Sequence, residues 1–272
     1  MARKPAAPIL AGKAYGAPSE FLPENLLREA RRQKQLPNVR TPEICVLDPD
    51  GDIVRHLKRT NAARISAGWA CYHTELYEFD LAGRSLGIIG CAVGAPYAVL
   101  VAEQLFASGC RFLISITSAG QITPLAPPPY YVVIDRALRD EGTSYHYAAP
   151  GEFAVADDRL VGRAVAAIGA LGLPVHRGAS WTTDAPFRET ASAIAAARSR
   201  GILAVEMEAA ALYTFAAVHR RPVLCLAHVT NTMGRVEGDF EKGDSGGGTA
   251  ALRAIAALAE AAGPFTPLPC SP

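Results

Sequence analysis

The order of apolar and polar positions predicts a chain of alternating strands and helices. Runs of strand length occur at 44–47, 85–89, 111–117, 130–134, 175–183, 202–206 and 222–230. Segments with helical spacing occur at 95–109, at 157–171, after Arg188, from Met207 and at 249–262. Segment 71–79 alternates apolar and polar residues, which is typical of an antiparallel or edge strand. Together these patterns predict an α/β domain in which helices cover both faces of a parallel or mixed sheet.

The two ends of the chain do not share this pattern. Residues 1–40 are predicted to form a partly irregular arm with one helical piece near 24–33, and the proline-rich segment 264–272 to be loose. Residues 41–263 contain no linker, and with half of its residues hydrophobic the chain can bury the core of one large domain. The basic N-terminus precedes an apolar stretch that prolines and a lysine interrupt, so it is a poor signal peptide.

Charge and cysteine content narrow the class of partner. The chain has 27 basic and 26 acidic residues, so electrostatics give no reason to expect a nucleic acid or an anionic membrane. No apolar run approaches the ~20 residues of a membrane span. The six cysteines lack CxxC spacing and several lie in apolar runs, which indicates free thiols in a reducing compartment. We therefore expect a cytoplasmic protein with a small ligand.

In α/β sheets ligands bind beyond the carboxyl ends of strands, so the segments that follow the strands are the candidates for a site. They are GCAVGAP (90–96), TSAGQITP (117–124), TTDAPFRET (182–190), EMEAA (206–210) and HVTNTMGR (228–235). The first lets backbone amides approach a ligand, although a tight turn explains it equally well. In the third, Phe187 can stack on a flat base, or the loop can simply cap a helix. In the last, Thr230 and Asn231 can bind a ligand or form an Asx turn.

Glu206 and Glu208 are the most informative pair in these segments. Both are predicted to lie in the first turn of a helix, where the dipole favours acidic residues by ~0.3–1 kcal/mol and explains either one alone. Capping explains the pair less well, because no basic residue is close to it in the sequence. A carboxylate at a strand end can accept hydrogen bonds from sugar hydroxyls, each worth ~1.5–3 kcal/mol. We therefore favour a role in binding a ligand.

Several other chemistries lack their motifs. The chain has no GxGxxG and no GxxxxGK[ST], which disfavours a dinucleotide cofactor and excludes a P-loop. Its six histidines show no metal-ligand spacing, and the calcium-like segment DPDGD has Arg59 where a glutamate belongs. No GxSxG or activated cysteine supports covalent catalysis. We expect neither a metal nor a cofactor.

Taken together and in this order, the segments resemble the nucleoside phosphorylase and nucleosidase superfamily, nearest to its uridine-phosphorylase-like branch. The resemblance covers about residues 42–260 and includes DEGTSYHY (140–147); its most specific element is Glu206-Met207-Glu208 after a strand. It implies a three-layer αβα fold with a twisted mixed central β-sheet, in subunits that form homo-oligomers (dimers, trimers or hexamers). It also implies cleavage of the N-glycosidic bond of a nucleoside, with phosphate as co-substrate and no cofactor.

The resemblance also implies a role for each site residue. The implied ribose ligands are Glu206, Met207, Glu208 and Val93, the phosphate ligands are Ser118 and Gly90, and the base contacts are Ala119, Gly120, Phe187, Arg188 and Asn231. Glu208 and Asn231 are the implied catalytic residues. The paired carboxylates would stabilise the ribose as it becomes an oxocarbenium-like cation. Adenine-selective relatives carry an aspartate at the position of Asn231, so the asparagine favours uracil or a 6-oxopurine.

The phosphate site departs from that branch. Two family arginines are replaced here by Ser115, three residues before Ser118, and approximately by Gly51 after the first strand. Burying a phosphate without a cation is costly, with idealised estimates of tens of kcal/mol, and a helix N-terminus supplies only about half a charge. Conceivable substitutes are Arg55, Lys58, Arg188 and a basic residue of a partner subunit.

Three functions therefore remain open from the sequence. The first is a nucleoside phosphorylase, because the overall pattern is closest to that branch. The second is a nucleoside hydrolase that uses water on the same scaffold, and Ser115 motivates it. The third is a catalytically silent nucleoside-binding protein whose anion site has decayed.

Overall fold

The computed structural model describes residues 7–234 and 237–262, so the predicted tail 264–272 lies outside the described residues. The strands are Ile44–Asp48 (β1), Ala63–Ile65 (β2), Tyr77–Leu81 (β3), Arg84–Gly90 (β4), Phe112–Gln121 (β5), Tyr130–Asp140 (β6), Phe153–Val155 (β7), Val175–Thr183 (β8), Ile202–Glu206 (β9) and Val223–Asn231 (β10). The helices are Pro23–Lys34 (α1), Asp52–Arg59 (α2), Ala95–Ser108 (α3), Ser144–Tyr147 (α4), Asp158–Ala170 (α5), Ala191–Ser199 (α6), Ala209–His219 (α7) and Gly248–Ala261 (α8).

These strands form a mixed sheet that partly closes on itself. The order is β10-β6-β8-β9-β5-β1-β4-β3-β2, and β7 pairs with β6. Because β10 also pairs with β5, the strands from β10 to β5 close into a small ring, and β1 to β2 extend from it. Strand β5 runs parallel to both β1 and β10. The carboxyl ends of these three strands therefore lie at the same edge of the sheet.

Helices cover both faces of the sheet, as the alternation along β1 shows. Cys45 and Leu47 belong to a core cluster shared with α3 and α7, whereas Ile44 and Val46 belong to a second cluster shared with α2, α5 and α8. Every residue of β1 is buried, which explains its continuous apolar sequence. The predicted three-layer αβα fold with a mixed central sheet is confirmed.

The helix predicted within the N-terminal arm is present as α1. Leu27 and Ala30 on its buried side pack with Ala70, and the helix contacts α3. The division of the chain into an arm, a domain at 41–263 and a tail stays a prediction. Within the described residues, no helix is long and apolar enough to cross a membrane.

The strand predicted at 71–79 is wrong in its first half. Strand β3 begins only at Tyr77, because the residues before it are held by contacts of another kind. Thr74 accepts a hydrogen bond from the Trp69 indole at 2.9 Å, and the carbonyl of Cys71 accepts one from Lys34 Nζ at 2.6 Å. These contacts lie outside any strand pairing, and the alternating pattern alone did not reveal them.

Helix α2 begins within the segment DPDGD, where the sequence analysis predicted no helix. The carboxylate of Asp48, at the end of β1, accepts hydrogen bonds from the backbone N–H of Gly51 at 3.1 Å and of Val54 at 2.9 Å. Gly51 has φ +75°, a conformation that glycine adopts readily. The preceding strand thus satisfies donors at the start of the helix, and the turn continues directly into α2.

Tyr213 connects α7 to the sheet, and its hydroxyl is a test of this packing. The hydroxyl donates a hydrogen bond to the Ile134 carbonyl at 2.7 Å and accepts one from the Cys225 N–H at 2.9 Å. Because Tyr213→Phe leaves two buried backbone groups without this partner, we expect the free energy of unfolding in urea to fall by ~1–3 kcal/mol. The control Tyr72→Phe removes an exposed hydroxyl and should cost less than about 0.5 kcal/mol. Equal losses in the two variants would contradict this role of Tyr213.

Candidate active site

Polar residues from several strands meet at the carboxyl edge of the sheet. In the parallel pairing of β5 with β10, Ser118 lies opposite His228 and Gly120 lies opposite Asn231. Asp48 ends the neighbouring strand β1, opposite Gly90 of β4. The backbone topology alone therefore brings the predicted phosphate and base segments close to one another.

Glu206 ends β9, and Glu208 is the N-cap residue of α7. The prediction that both glutamates lie in the first turn of the helix is therefore wrong. One oxygen of Glu206 accepts hydrogen bonds from the N–H groups of Glu208 at 2.8 Å and Ala209 at 2.7 Å. The side chain of the last strand residue thus caps the helix, because it satisfies donors that have no partner within the helix.

The other oxygen of Glu206 connects this turn to β8. It accepts hydrogen bonds from the hydroxyls of Ser180 at 2.9 Å and Thr182 at 2.6 Å, and the Thr182 hydroxyl accepts one from the Ala210 N–H at 2.9 Å. Glu206 is only 3% exposed, and both of its oxygens are engaged by the protein. These contacts make it a residue that positions α7 against β8; its contact with ribose stays a prediction.

Glu208 lies at the junction of three segments selected from the sequence. One of its oxygens accepts a hydrogen bond from the Gly94 N–H at 2.7 Å, and the other accepts a longer one from the Met207 N–H at 3.3 Å. The hydroxyl of Thr117 on β5 lowers the pKa of this carboxyl group. The residue is 1% exposed, whereas Met207 is only partly buried. Glu208 therefore joins the glycine-rich segment to the start of α7.

Burial raises the pKa of both glutamates. It is the main cause that takes the pKa of Glu208 to about 8, and the charge of Glu206 is the second cause. Burial also raises the pKa of Glu206, although the hydroxyl and N–H donors around it lower the pKa in part. Four hydrogen bonds make Glu206 the better place for the negative charge, so Glu208 holds a proton more readily. A cationic sugar beside Glu208 would favour its ionised form.

Ser118, Thr230 and Asn231 form a connected group of hydrogen bonds. The hydroxyls of Ser118 and Thr230 are 2.7 Å apart. The Asn231 amide nitrogen donates to the Ala119 carbonyl at 3.2 Å and to the Thr230 hydroxyl at 3.3 Å, and its oxygen accepts from the Met233 N–H at 3.0 Å. Asn231 is 6% exposed, so these protein groups fix the orientation of its amide.

Gly120, predicted to contact the base, lies beneath Met233. The Met233 sulphur lies where a β-carbon of Gly120 would be placed, so this position has no room for a side chain. Met233 has φ +69°, which is uncommon for a residue with a side chain. The sequence contains no signal that selects Met233.

Two further predicted base contacts, Phe187 and Arg188, lie in solvent. They occupy a short 3₁₀ turn after β8, and Phe187 is 100% exposed. The turn is tied to the segment 140–147 because Asp184 accepts a hydrogen bond from the Gly142 N–H at 2.8 Å. The structure therefore does not bring Phe187 and Arg188 into contact with the buried glutamates.

The remaining predicted residues, Val93 and Gly90, lie on the glycine-rich segment. Val93 precedes the Gly94 that donates to Glu208, and its side chain is 52% exposed. Gly90 is packed so closely that a β-carbon there would be 3.1 Å from a methyl group of Val54. Gly90 thus allows the end of β4 to approach the start of α2.

A cavity beside Ser118 has an acidic lining. Its charged and titratable lining residues are Asp48, Asp50, Asp52, His228 and Lys242. The carboxylate of Asp50 accepts the backbone N–H of Ser118 at 2.6 Å. Lys242 Nζ is 2.5 Å from an oxygen of Asp52 and 3.5 Å from an oxygen of Asp50. Three carboxyl groups and one ion-paired lysine therefore surround the place where the resemblance puts phosphate.

Burial shifts the pKa of two residues that line this cavity, Asp48 and His228. It raises the pKa of Asp48 to about 7, and the charges of Asp50 and Asp52 add to the effect. Burial also lowers the pKa of His228 to about 4, with the charge of Lys242 as the second cause. His228 is therefore neutral at neutral pH, and Lys242 is the basic group in the lining.

The basic residues considered from the sequence as phosphate ligands have other partners or lie in solvent. Arg55 binds Asp52 at 2.5 Å, and Lys58 donates to the Tyr77 hydroxyl at 3.0 Å. Arg188 is exposed on its turn. Within the described residues, none of the three belongs to the lining of the cavity.

Sequence reasoning missed the aspartates and Lys242 as members of the site. The spacing of Asp48, Asp50 and Asp52 at the end of a buried strand resembles the opening of a calcium loop, and this resemblance hid their place in the cavity. Lys242 lies far along the chain on the segment before α8, and nothing near it in the sequence indicates an ion pair with β1 and α2 residues. Only the fold brings these residues together.

Comparison with known proteins identifies the family. The model of the phosphorylase superfamily matches residues 43–262. The chain belongs to the phosphorylase superfamily. The resemblance found in the sequence is thereby confirmed, and the enzyme class of this superfamily member is supported at the level of the family.

Named relatives of this phosphorylase superfamily member share moderate identity with it. A uridine phosphorylase of Thermococcus kodakarensis is 27% identical over 202 residues, which are 69% of this chain and 71% of that protein. A DeoD-type purine nucleoside phosphorylase of Colwellia psychrerythraea is 30% identical over 151 residues, which are 55% of this chain and 64% of the relative. A crystal structure of uridine phosphorylase from Vibrio fischeri matches with a TM-score of 0.67 and 19% identity over 83% of this chain and 91% of that chain, which shows the same fold.

The raised pKa of Glu208 predicts how stability depends on pH. Between its usual value of 4.5 and about 8, the folded state holds a proton that the unfolded state has lost, so stability falls as the pH rises. Glu208→Gln removes this proton. We expect its free energy of unfolding, measured by denaturation across this window, to fall less steeply than that of the wild type, by up to about 1.4 kcal/mol per pH unit.

The control for this measurement is Glu260→Gln, because Glu260 is exposed near the end of α8. It should keep the slope of the wild type. The assignment of the raised pKa to Glu208 is contradicted if Glu208→Gln and the wild type lose stability in parallel as the pH rises.

Proposed function

We propose that this chain cleaves the N-glycosidic bond of a nucleoside and that water, instead of phosphate, is the acceptor. The membership of the superfamily supports the first half of the proposal. The observation that supports the second half is the hydrogen bond from the Ser118 N–H to the Asp50 carboxylate. The resemblance assigns the Ser118 hydroxyl to the phosphate, and a carboxylate of the protein already binds the backbone N–H of the same residue.

Electrostatics support water as the acceptor. Two like charges 4 Å apart repel each other by about 4 kcal/mol at an effective dielectric constant of ~20. A phosphate at Ser118 would approach the carboxylates of Asp50 and Asp52, and Lys242 is already paired with both. A neutral water avoids this repulsion, and Asp50 can accept its proton.

In the proposed reaction, the carboxyl group of Glu208 stabilises the ribose and that of Asp50 accepts a proton. Glu208 would stabilise the ribose as positive charge develops on it, while Glu206 holds the turn that carries Glu208. Water would form its bond to C1′ as the bond from C1′ to the base nitrogen breaks. The electron pair of that bond goes to the base, which takes a proton from solvent, and the proton of the water goes to Asp50. The Ser118 N–H binds Asp50, and the neighbouring Thr117 lines the same cavity and lowers the pKa of Glu208.

The substrate proposed is a nucleoside of uracil or of a 6-oxopurine. Asn231 has an amide where adenine-selective relatives carry an aspartate, so it offers no proton to an adenine ring. The relatives named above as a uridine phosphorylase and a purine nucleoside phosphorylase are consistent with either base. We also expect the chain to form a homo-oligomer and to be located in the cytoplasm.

Phosphorolysis is the second candidate, and the names of the relatives favour it. In that case a cation from a partner subunit, or Lys242 after release from its aspartates, would bind the phosphate. This alternative predicts that base release depends on phosphate.

A panel of uridine, inosine, guanosine and adenosine, with and without phosphate, distinguishes the candidates. We expect uridine or a 6-oxopurine nucleoside to be cleaved, with a rate of base release, measured by chromatography, that does not change when phosphate is added. Loss of turnover in phosphate-free buffer would refute hydrolysis in favour of phosphorolysis. Ligand-induced thermal stabilisation without any turnover would identify a silent binding protein.

Replacing Glu208 tests the role of its carboxyl group. We expect Glu208→Ala to lower kcat/KM by at least about a hundredfold, because a stabilising group next to the developing charge is lost. The control is Glu152→Ala, which removes an exposed glutamate paired with Arg200 and should retain the activity of the wild type. Full activity in Glu208→Ala would remove Glu208 from the mechanism.

A further inference from the structure

The cavity beside Ser118 contains two donors that could bind an anion, the Ser118 N–H and the Lys242 ammonium group. In this structure the Asp50 carboxylate lies against both of them. The Ser118 N–H points at the Asp50 carboxylate from 2.6 Å, and Lys242 Nζ lies 3.5 Å from the same carboxyl group. A backbone donor and an ammonium group directed at a carboxylate are the groups that bind a phosphate oxygen elsewhere in proteins. Asp50 thus occupies the position of an anion.

His228 is a second and independent indication of a ligand at this place. Its ring lines the cavity, the residue is only 7% exposed, and one face stacks on Tyr131 with ring centroids 4.7 Å apart. Within the described residues no protein group forms a hydrogen bond with its ring nitrogens, so they are free to bind a ligand in the cavity. A neutral imidazole can donate one hydrogen bond and accept another, so it suits either a water or a phosphate oxygen.

We propose that Asp50 determines the acceptor by serving as a built-in anion, and that removing its carboxylate converts the cavity into a phosphate site. This inference rests on the proposed hydrolysis and adds what selects water. In the wild type the carboxylate takes up the Ser118 N–H and shares Lys242 with Asp52. In Asp50→Ala the Ser118 N–H becomes available, Lys242 keeps only its pair with Asp52, and the repulsion between Asp50 and an entering phosphate is gone.

The step in the variant balances without any further reactant. A phosphate oxygen forms the bond to C1′ as the bond between C1′ and the base nitrogen breaks. The electron pair stays on the base, which takes a proton from the monohydrogen or dihydrogen phosphate or from solvent. The products are the free base and a pentose 1-phosphate, whereas the wild type gives the base and a free pentose.

The test compares wild type and Asp50→Ala with inorganic phosphate, once by thermal denaturation and once by turnover. We expect phosphate at millimolar concentration to raise the melting temperature of Asp50→Ala and not that of the wild type. We further expect the variant to lose most of its phosphate-independent base release. Adding phosphate should raise the turnover of the variant at least about tenfold, with pentose 1-phosphate as product. Asp50→Ser is the second variant, in case the alanine variant does not fold.

Two control variants assign the effect to the position of the charge. Asp50→Glu keeps a carboxylate at the site and should not bind phosphate. Asp52→Ala removes the same charge from the same ion-pair group but leaves Asp50 on the Ser118 N–H, so it should bind phosphate much more weakly than Asp50→Ala. Equal phosphate binding by Asp52→Ala and Asp50→Ala would overturn the inference, because the general loss of charge would then explain it.

The outcomes separate this inference from the proposed function. If the wild type hydrolyses nucleosides and neither Asp50→Ala nor Asp50→Ser is stabilised by phosphate, only the inference is overturned. If the wild type itself requires phosphate, both are overturned, because Asp50 then does not exclude the anion. If the wild type is inactive but Asp50→Ala binds phosphate, the exclusion of the anion by Asp50 is supported, whereas the proposed hydrolysis and the selection of water fail.

Discussion

A carboxylate can be buried at the carboxyl edge of this sheet only if hydrogen-bond donors meet it, and that constraint organises the site. Asp48 accepts donors at the start of α2, Glu206 at the start of α7, and Glu208 from the segment before α3. An acidic side chain thus meets the N-terminal region of each of these three helices. The fold orients the helices towards the edge, and the acidic side chains provide the acceptors that their free N–H groups require.

The same constraint separates the roles of the two glutamates that the sequence presents as a pair. Glu206 has four donors, so it fixes the strand-to-helix turn. Glu208 has fewer partners and a pKa raised to about 8, so it can still respond to a ligand that brings positive charge. Residues two positions apart therefore differ in their surroundings, because the first ends a strand and the second is the N-cap of a helix.

Features that depend on residues close together in the sequence could be predicted, whereas features that depend on contacts between distant segments could not. Apolar runs such as ICVL and the order of elements were sufficient to predict the layered α/β fold. A strand that is buried on both faces has a continuous apolar sequence, which can be recognised from that strand alone. Helix α2 was missed because its start depends on Asp48 across a turn. The ion pairs of Lys242 with Asp50 and Asp52 were missed because they join segments that are distant in the chain. The two glutamates of the motif could be found from the sequence, but the groups that we propose to select the acceptor could not.

The central claim is that the Asp50 carboxylate stands in for an anion, so that water attacks the sugar beside Glu208. The most direct measurement is the identity of the pentose product when the wild-type protein cleaves its nucleoside in excess phosphate, observed by phosphorus NMR and mass spectrometry. The account predicts free pentose in the same amount as the released base and no new phosphate ester. Pentose 1-phosphate formed in proportion to the base would contradict it.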